Sequence, residues 1–368
     1  MTTTRTSGGA TTLPRHSYTS PEIFERERQS IFRSRWICVG LAADIPEPGN
    51  YMLAEVAGDN LIVVRDRTGA IRAFHNVCRH RGTRLCENSS GMFGKHIVCP
   101  YHAWAYDLDG RLAAAPIMDE VEGFERADYP LHAAASALWE GLIFINLSPE
   151  PEPFESAFAP VIGKFTAWGL DRLAPAHRTE YEVAANWKLM VQNYSECYHC
   201  PSLHPALNKL TPFRNSGNDL TEGAILGGPM LLSSASESMT MDGRLCASTF
   251  GHLHGEQRKL VHYYVFFPSM FLSLMPDYAM VHRVIPRDFR RSTIVCQWLF
   301  DPETMRRPDF DATRAVEFWD MTNRQDWHIC EQSQLGIESS AYTPGPYANL
   351  ESMIAAVDRE YLRALGRP

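Results

Sequence analysis

Hydrophobic positions along the chain change their period from one stretch to the next. Behind Ser20-Pro21, a capping residue followed by a proline at the first helical position, Ile23, Phe24, Ile31 and Phe32 recur at helical intervals and predict a helix to about residue 34. From Trp36 to about Leu147 the pattern becomes short β-branched and aromatic runs, at 51–56, 60–65, 71–74, 96–99 and 142–146, punctuated by Gly, Pro and Asp. That alternation predicts a small all-β module. The segment Ser148-Pro-Glu-Pro-Glu-Pro153 cannot continue a strand or a helix, because its prolines lack donors and fix φ, so a domain boundary falls there. A mixed α and β half follows, with a helix near 187–200, strands around 259–300 and a long helix from about 308 to 336. The expected division is a disordered leader over 1–18, an N-terminal helical segment over 19–44 that packs on the second half, the β module over 45–150, and the second half over 151–368.

On the long helix Ala315, Trp319, Thr322, Asp326, Ile329, Cys330 and Ser333 fall on one stripe, while Arg314, Glu317, Arg324, His328 and Glu331 fall elsewhere. Asp326 is thus an acid on an inward face, which is costly unless it is paired or metal-bound. Asp320 lies about 120° away on the same wheel and is the weaker candidate.

Composition narrows the class. Against 43 acidic residues stand 35 Lys and Arg, a formal charge of −8, which disfavours a nucleic-acid or anionic-membrane partner. The content of 45% hydrophobic residues is that of a globular protein, and no apolar run reaches membrane-helix length or forms a secretion signal. Nine scattered cysteines suit reduced thiols and metal ligands better than a disulfide framework, so a cytoplasmic location is expected.

Two constellations carry chemistry. Cys78-Arg-His80 is followed by Cys99-Pro-Tyr-His102, each segment supplying one thiolate and one imidazole. A zinc finger usually pairs like with like, whereas two mixed pairs can place both sulfurs toward one iron and both nitrogens toward another, the division a Rieske [2Fe–2S] centre requires. Cys86 has no second ligand at a useful spacing and reads as a buried thiol. In the second half, His199 and His204 stand five apart; on an unbroken helix they would diverge by about 140°, but Pro201 interrupts it. Two histidines and one carboxylate on one face of a metal make a mononuclear Fe(II) oxygenase site, and Asp326 supplies an acid for it.

The flanks Cys78-Arg-His-Arg-Gly82 and Cys99-Pro-Tyr-His-Ala-Trp104, with Asn186-Trp-Lys188 and Asn193-Tyr-Ser-Glu-Cys-Tyr-His-Cys200 running on to His204-Pro205, resemble the large (alpha) subunit of Rieske non-haem iron oxygenases. The likeness covers about 30–350 and lies nearest the branch acting on glycine betaine, choline, carnitine and stachydrine. It implies an α+β chain in which an all-β Rieske domain precedes a helix-grip catalytic domain, an antiparallel sheet wrapped on a long helix. It also implies Cys78, His80, Cys99 and His102 as cluster ligands, and His199, His204 and Asp326 as iron ligands. Glu196 would bridge His102 of one subunit to His199 of the next in a head-to-tail homotrimer; many aromatic-ring dioxygenases carry Asp there.

The implied reaction is O2-dependent hydroxylation and N-demethylation of a small quaternary ammonium or methylated amine. Electrons would come from NAD(P)H through a separate ferredoxin or flavin reductase, since no strand is followed by G-x-G-x-x-G. An aromatic ring-hydroxylating oxygenase is the alternative, and a zinc-stapled binding protein the remote one.

Overall fold

A computed structural model describes residues 9–366. The chain divides into two compact units, one of residues 32–154 and one that joins the residues before 32 to 155–368.

In the first unit the strands are β1 (Ile37–Leu41), β2 (Asn50–Val56), β3 (Asp59–Arg65), β4 (Ile71–His75), β5 (Ser90–Met92), β6 (His96–Val98), β7 (Ala105–Asp107), β8 (Leu112–Ala114), β9 (Ala133–Trp139) and β10 (Leu142–Asn146). One antiparallel sheet runs β1-β10-β9-β4-β3-β2-β5 and a smaller one runs β6-β7-β8. Ile62, Val64 and Phe74 from the larger sheet and Ile97, Tyr106 and Leu112 from the smaller share one core, side chains of two sheets meeting between them. The expected runs at 51–56, 60–65, 71–74 and 142–146 are all strands, and Cys86 is the buried thiol foreseen.

The second unit holds β11 (Ala174–Val183), β12 (Ile225–Leu231), β13 (Leu260–Phe266), β14 (Met270–Leu274), β15 (Ala279–Asp288) and β16 (Arg291–Phe300), in antiparallel order β11-β16-β15-β14-β13-β12. The helix Thr313–Glu338 lies on this sheet: Tyr181 of β11 donates its hydroxyl to Asp320 at 2.8 Å, and the Trp319 indole donates to Tyr278 at 2.7 Å. The inner face of the helix is made of Ala315, Phe318, Trp319, Thr322, Asn323, Trp327, Cys330, Gln334 and Ile337. Ile329 and Ser333, expected on that face, are exposed. The sheet takes a broader stripe than a strict 3.6-residue wheel, and polar Asn323 and Gln334 enter it because each finds a buried partner.

Three boundaries differ from expectation. Residues 1–8 of the expected leader lie outside the described residues, but 10–18 pack: Thr11 pairs with Pro346, and Leu13 and Tyr18 are buried. Two buried side chains anchor a stretch whose Thr, Ser and Gly content reads as unstructured. The helix at Ser20 is capped as foreseen, with Ser20 Oγ accepting from Ile23 N at 3.1 Å, but it runs Pro21–Glu27 and widens into a π-helical turn over Arg28–Phe32. The β unit begins at residue 32 and not 45, because β1 pairs with β10, and it ends at 154 and not 150, directly after the last of the prolines.

Candidate active site

Two loops of the β unit carry the first donor set. Cys78 N donates to Thr83 O at 2.8 Å and Gly82 N to Cys78 O at 3.0 Å, a turn that Gly82 closes at φ +74°. In the other loop Cys99 N donates to Trp104 O at 2.8 Å and Ala103 N to Cys99 O at 3.1 Å. Each loop curls round its own cysteine, which leaves both thiols 3% exposed while His80 is exposed and His102 half-buried. The imidazoles lie 4.7 Å apart, and His80 stacks on Trp104 at 4.8 Å. Tyr106 accepts from Arg79 N at 3.0 Å, which leaves its O–H to donate to Cys78 Sγ at 3.3 Å. Sulfurs are inside and imidazoles outside. A single tetrahedral zinc asks for four donors about one point, so this sorting fits a diiron cluster better.

The second set is built by broken helices. Asn186 caps the helix Trp187–Tyr194, its side chain accepting from Lys188 N at 3.1 Å. Past Tyr194 the chain turns, and short helices start at Cys200 and Pro205, each just after a histidine. These bends, with Pro201 and Pro205 in the two first turns, set the His199 and His204 rings 5.1 Å apart.

Asp326 reaches them from the long helix: its Oδ1 lies 2.8 Å from His204 Nε2 and 3.5 Å from His199 Nε2. Partners on the far side aim the rings. His199 Nδ1 meets Glu196 Oε1 at 2.5 Å, and His204 Nδ1 donates to Gln325 Oε1 at 2.7 Å. Glu196 Oε2 also accepts from the backbone N–H of Tyr198 and of His199. Among the described residues, His199, His204 and Asp326 are the group that could hold one ion, with ligand atoms all within 4.8 Å of one another. Burial alone would lower the His199 pKa, but Asp326 and Glu196 outweigh it and raise it to about 10. Burial works the other way on Asp326, yet the two imidazoles hold its carboxyl below the usual range. Two imidazoles, each with its Nδ1 already engaged, and a carboxylate beside them fit a facial iron site.

Asp320 is turned away, bound by Tyr181 and at 2.8 Å by Arg324. Gln325 is a residue whose role sequence reasoning missed; its position beside Asp326 was visible, its contact with His204 was not. The same holds for Tyr106 and Trp104 beside the cluster loops.

The His199, His204 and Asp326 group opens onto a cavity of about 120 Å³. Tyr194, Tyr263 and Trp319 supply aromatic wall, with the Tyr263 ring roughly perpendicular to both others. Cys197 and Cys200 line it beside His199. The neighbouring Cys197 thiol and burial both push the pKa of Cys200 up. Gly228 is required on this wall, since a Cβ there would come within 2.6 Å of the Asn218 backbone.

Residues 170–367 match the family described as Ring hydroxylating alpha subunit (catalytic domain), and residues 35–125 match the Rieske [2Fe-2S] domain. The chain belongs to the Rieske non-haem iron oxygenases. It is an oxidoreductase that uses a [2Fe–2S] cluster and a mononuclear iron, with electrons from a separate reductase. It is 32% identical to the glycine betaine monooxygenase oxygenase subunit of Chromohalobacter salexigens over 92% of this chain and 82% of that protein. It is 38% identical to the carnitine monooxygenase oxygenase subunit of Acinetobacter baumannii, over 53% of each. Among solved structures, the quaternary ammonium Rieske monooxygenase CntA with L-carnitine matches at a TM-score of 0.79 and 25% identity, covering 98% of this chain and 97% of that one. Naphthalene 1,2-dioxygenase from Rhodococcus sp. shares the fold at 0.79 and 20% identity, over 96% and 94%. No helix among the described residues is long and apolar enough to cross a membrane.

Proposed function

We propose that this oxygenase hydroxylates an N-methyl group of a small quaternary ammonium or methylated amine of the glycine betaine type, releasing formaldehyde and the demethylated amine. The observation that carries the reading is the cavity. At about 120 Å³ it is no larger than the roughly 150 Å³ engineered cavity that takes one benzene, and it joins aromatic faces to the acidic groups of Glu196 and Asp326. Aromatic faces attract a methylammonium cation. The names of the relatives point the same way. The aromatic-ring alternative has the family's description and the fold shared with naphthalene 1,2-dioxygenase at 20% identity behind it.

Cys78 and Cys99 would hold the inner iron of the cluster and His80 and His102 the outer one, while His199, His204 and Asp326 would hold the mononuclear iron. When bound, the cluster supplies single electrons and the ferrous ion supplies the O2 activation that oxidises the C–H bond. The chain's own residues prepare that site. Gln325 keeps the His204 Nδ1 protonated, so that Nε2 presents its lone pair. Glu196 does the same for His199 and, reaching His102 of a neighbour in a head-to-tail homotrimer, would link cluster to iron between subunits. The aromatic wall excludes water and turns a methyl group toward Asp326. A ferredoxin or flavin reductase using NAD(P)H would feed the cluster in a cytoplasmic setting, in keeping with nine free cysteines.

The test is turnover of glycine betaine, choline and carnitine with a reductase and O2. Formaldehyde should appear in step with oxygen uptake, and His199→Ala should stop it without altering the visible spectrum of the cluster. Oxygenation of aromatic acids with no formaldehyde from any amine would overturn the substrate assignment; loss of the cluster in His199→Ala would overturn the division into two metal sites.

A further inference from the structure

Cys197 and Cys200 flank His199 without a part in the iron site described above. Cys200 N donates to Cys197 O at 3.1 Å, closing a four-residue turn. Such a turn holds its first and last Cα atoms within about 7 Å, and a disulfide spans Cα separations of about 4.4–6.8 Å. Both residues line the same cavity. Access is unequal: Cys197 is half-buried, whereas Cys200 is 2% exposed. The other cysteines offer no such pair. Cys78 and Cys99 belong to the cluster loops, Cys38, Cys86, Cys296 and Cys330 are buried, and Cys246 binds Asp277.

We infer that Cys197 and Cys200 are a redox-modification site, a dithiol that hydrogen peroxide closes to a disulfide and so disables the adjacent His199. The partly exposed Cys197 thiol reacts first, giving a sulfenic acid and one water. Cys200 then attacks the sulfenic sulfur; the S–S bond forms, the S–OH bond breaks, and the hydroxyl leaves with the Cys200 proton as a second water. Two thiols lose two electrons and one peroxide gains them. The cross-link constrains the turn that carries the His199 imidazole and the Tyr198 and His199 N–H groups held by Glu196. A thiol reductant reverses it.

The holoenzyme, treated with hydrogen peroxide and then alkylated and digested with trypsin, provides the test. Residues 189–209 form one tryptic peptide containing these two cysteines and no other. In the wild type most of this peptide should lose two hydrogens and resist alkylation. Oxygen uptake should fall roughly tenfold or more, as when a metal site loses its supporting contacts, and dithiothreitol should restore both readouts. Cys197→Ser and Cys200→Ser, each compared with its own untreated activity, should form no intramolecular disulfide and show no dithiothreitol-reversible loss. The absorbance of the cluster, followed throughout, separates damage to the cluster from closure of the dithiol. A wild-type peptide that stays reduced, or passes to sulfinic acid with no disulfide, overturns the site; a disulfide that leaves oxygen uptake unchanged overturns its effect on His199. The mass readout does not depend on which amine is the substrate.

Discussion

At the scale of single residues, the site is set by groups one contact removed from the metal donors. Gln325 fixes the tautomer of His204 through one 2.7 Å hydrogen bond. Gln325→Ala should lower affinity for the mononuclear iron by about 10- to 100-fold and leave the cluster intact, which iron analysis against the cluster absorbance will show. Tyr106 is its counterpart in the β unit. Its hydroxyl donates to Cys78 Sγ, and hydrogen bonds to cluster sulfurs raise the reduction potential. Tyr106→Phe should lower that potential, by up to roughly 60 mV if the bond contributes ~1.4 kcal/mol, measurable in a redox titration followed by electron paramagnetic resonance. That His199, His204 and Asp326 come together was legible in the sequence because spacing and chemical type constrain them. Their supports were not: Gln325 and His204 are separated by more than a hundred residues, and no periodicity connects them.

At the scale of elements, a buried polar cluster ties three helices together behind the iron site. Lys188, 3% exposed, pairs with fully buried Glu27 at 2.5 Å, and Glu27 also accepts from the Trp187 indole and the Tyr361 hydroxyl, each at 2.8 Å. The helices Pro21–Glu27, Trp187–Tyr194 and Ser352–Ala364 meet there. A buried pair broken on one side leaves an uncompensated charge, so Glu27→Gln should cost about 3–5 kcal/mol in denaturant unfolding. Beside it Asp358 accepts from Gln192 and Tyr347 at 2.7 Å each. Burial pushes its carboxyl up to about 6, against the pull of these hydrogen bonds and of Lys188 and Arg359. A raised carboxyl stabilises the fold while protonated, so stability should fall as pH rises from about 4 through 6. Asp358→Asn should remove that dependence, a change of about 3 kcal/mol across the range at most, as read from melting curves over the same pH values.

The cap at Ser20, the period of the long helix and the strand runs at 51–56, 60–65, 71–74, 96–99, 142–146 and around 259–300 were legible, whereas the strands Ala133–Trp139, Ala174–Val183 and Ile225–Leu231 were not. Nor were the π-helical turn at Arg28–Phe32 and the strand Ile37–Leu41. The first needs tertiary packing to exist, and the second, buried at every position, lacks the alternation that marks a half-exposed strand.

At the scale of the whole molecule, the proposed trimer makes a complementation test possible. A His102→Ala chain lacks a cluster ligand and a His199→Ala chain an iron ligand, so each homotrimer should be inactive. Co-expressed, the two should form mixed trimers in which an intact cluster faces an intact iron across a boundary, and oxygen uptake should return to a substantial fraction of wild type. Equal inactivity of mixed and pure assemblies, with mixing verified by mass, would rule against electron passage between subunits.

The three donors of the proposed iron site are mounted unequally. Asp326 stands in mid-course on a 26-residue helix pinned to a sheet, whereas His199 caps a four-residue helix and His204 sits at the joint between that helix and one of six residues. The carboxylate would thus be held by its helix, while the two imidazoles, seated at chain bends, take their aim from Glu196 and Gln325 and would keep it only as long as those two hydrogen bonds hold.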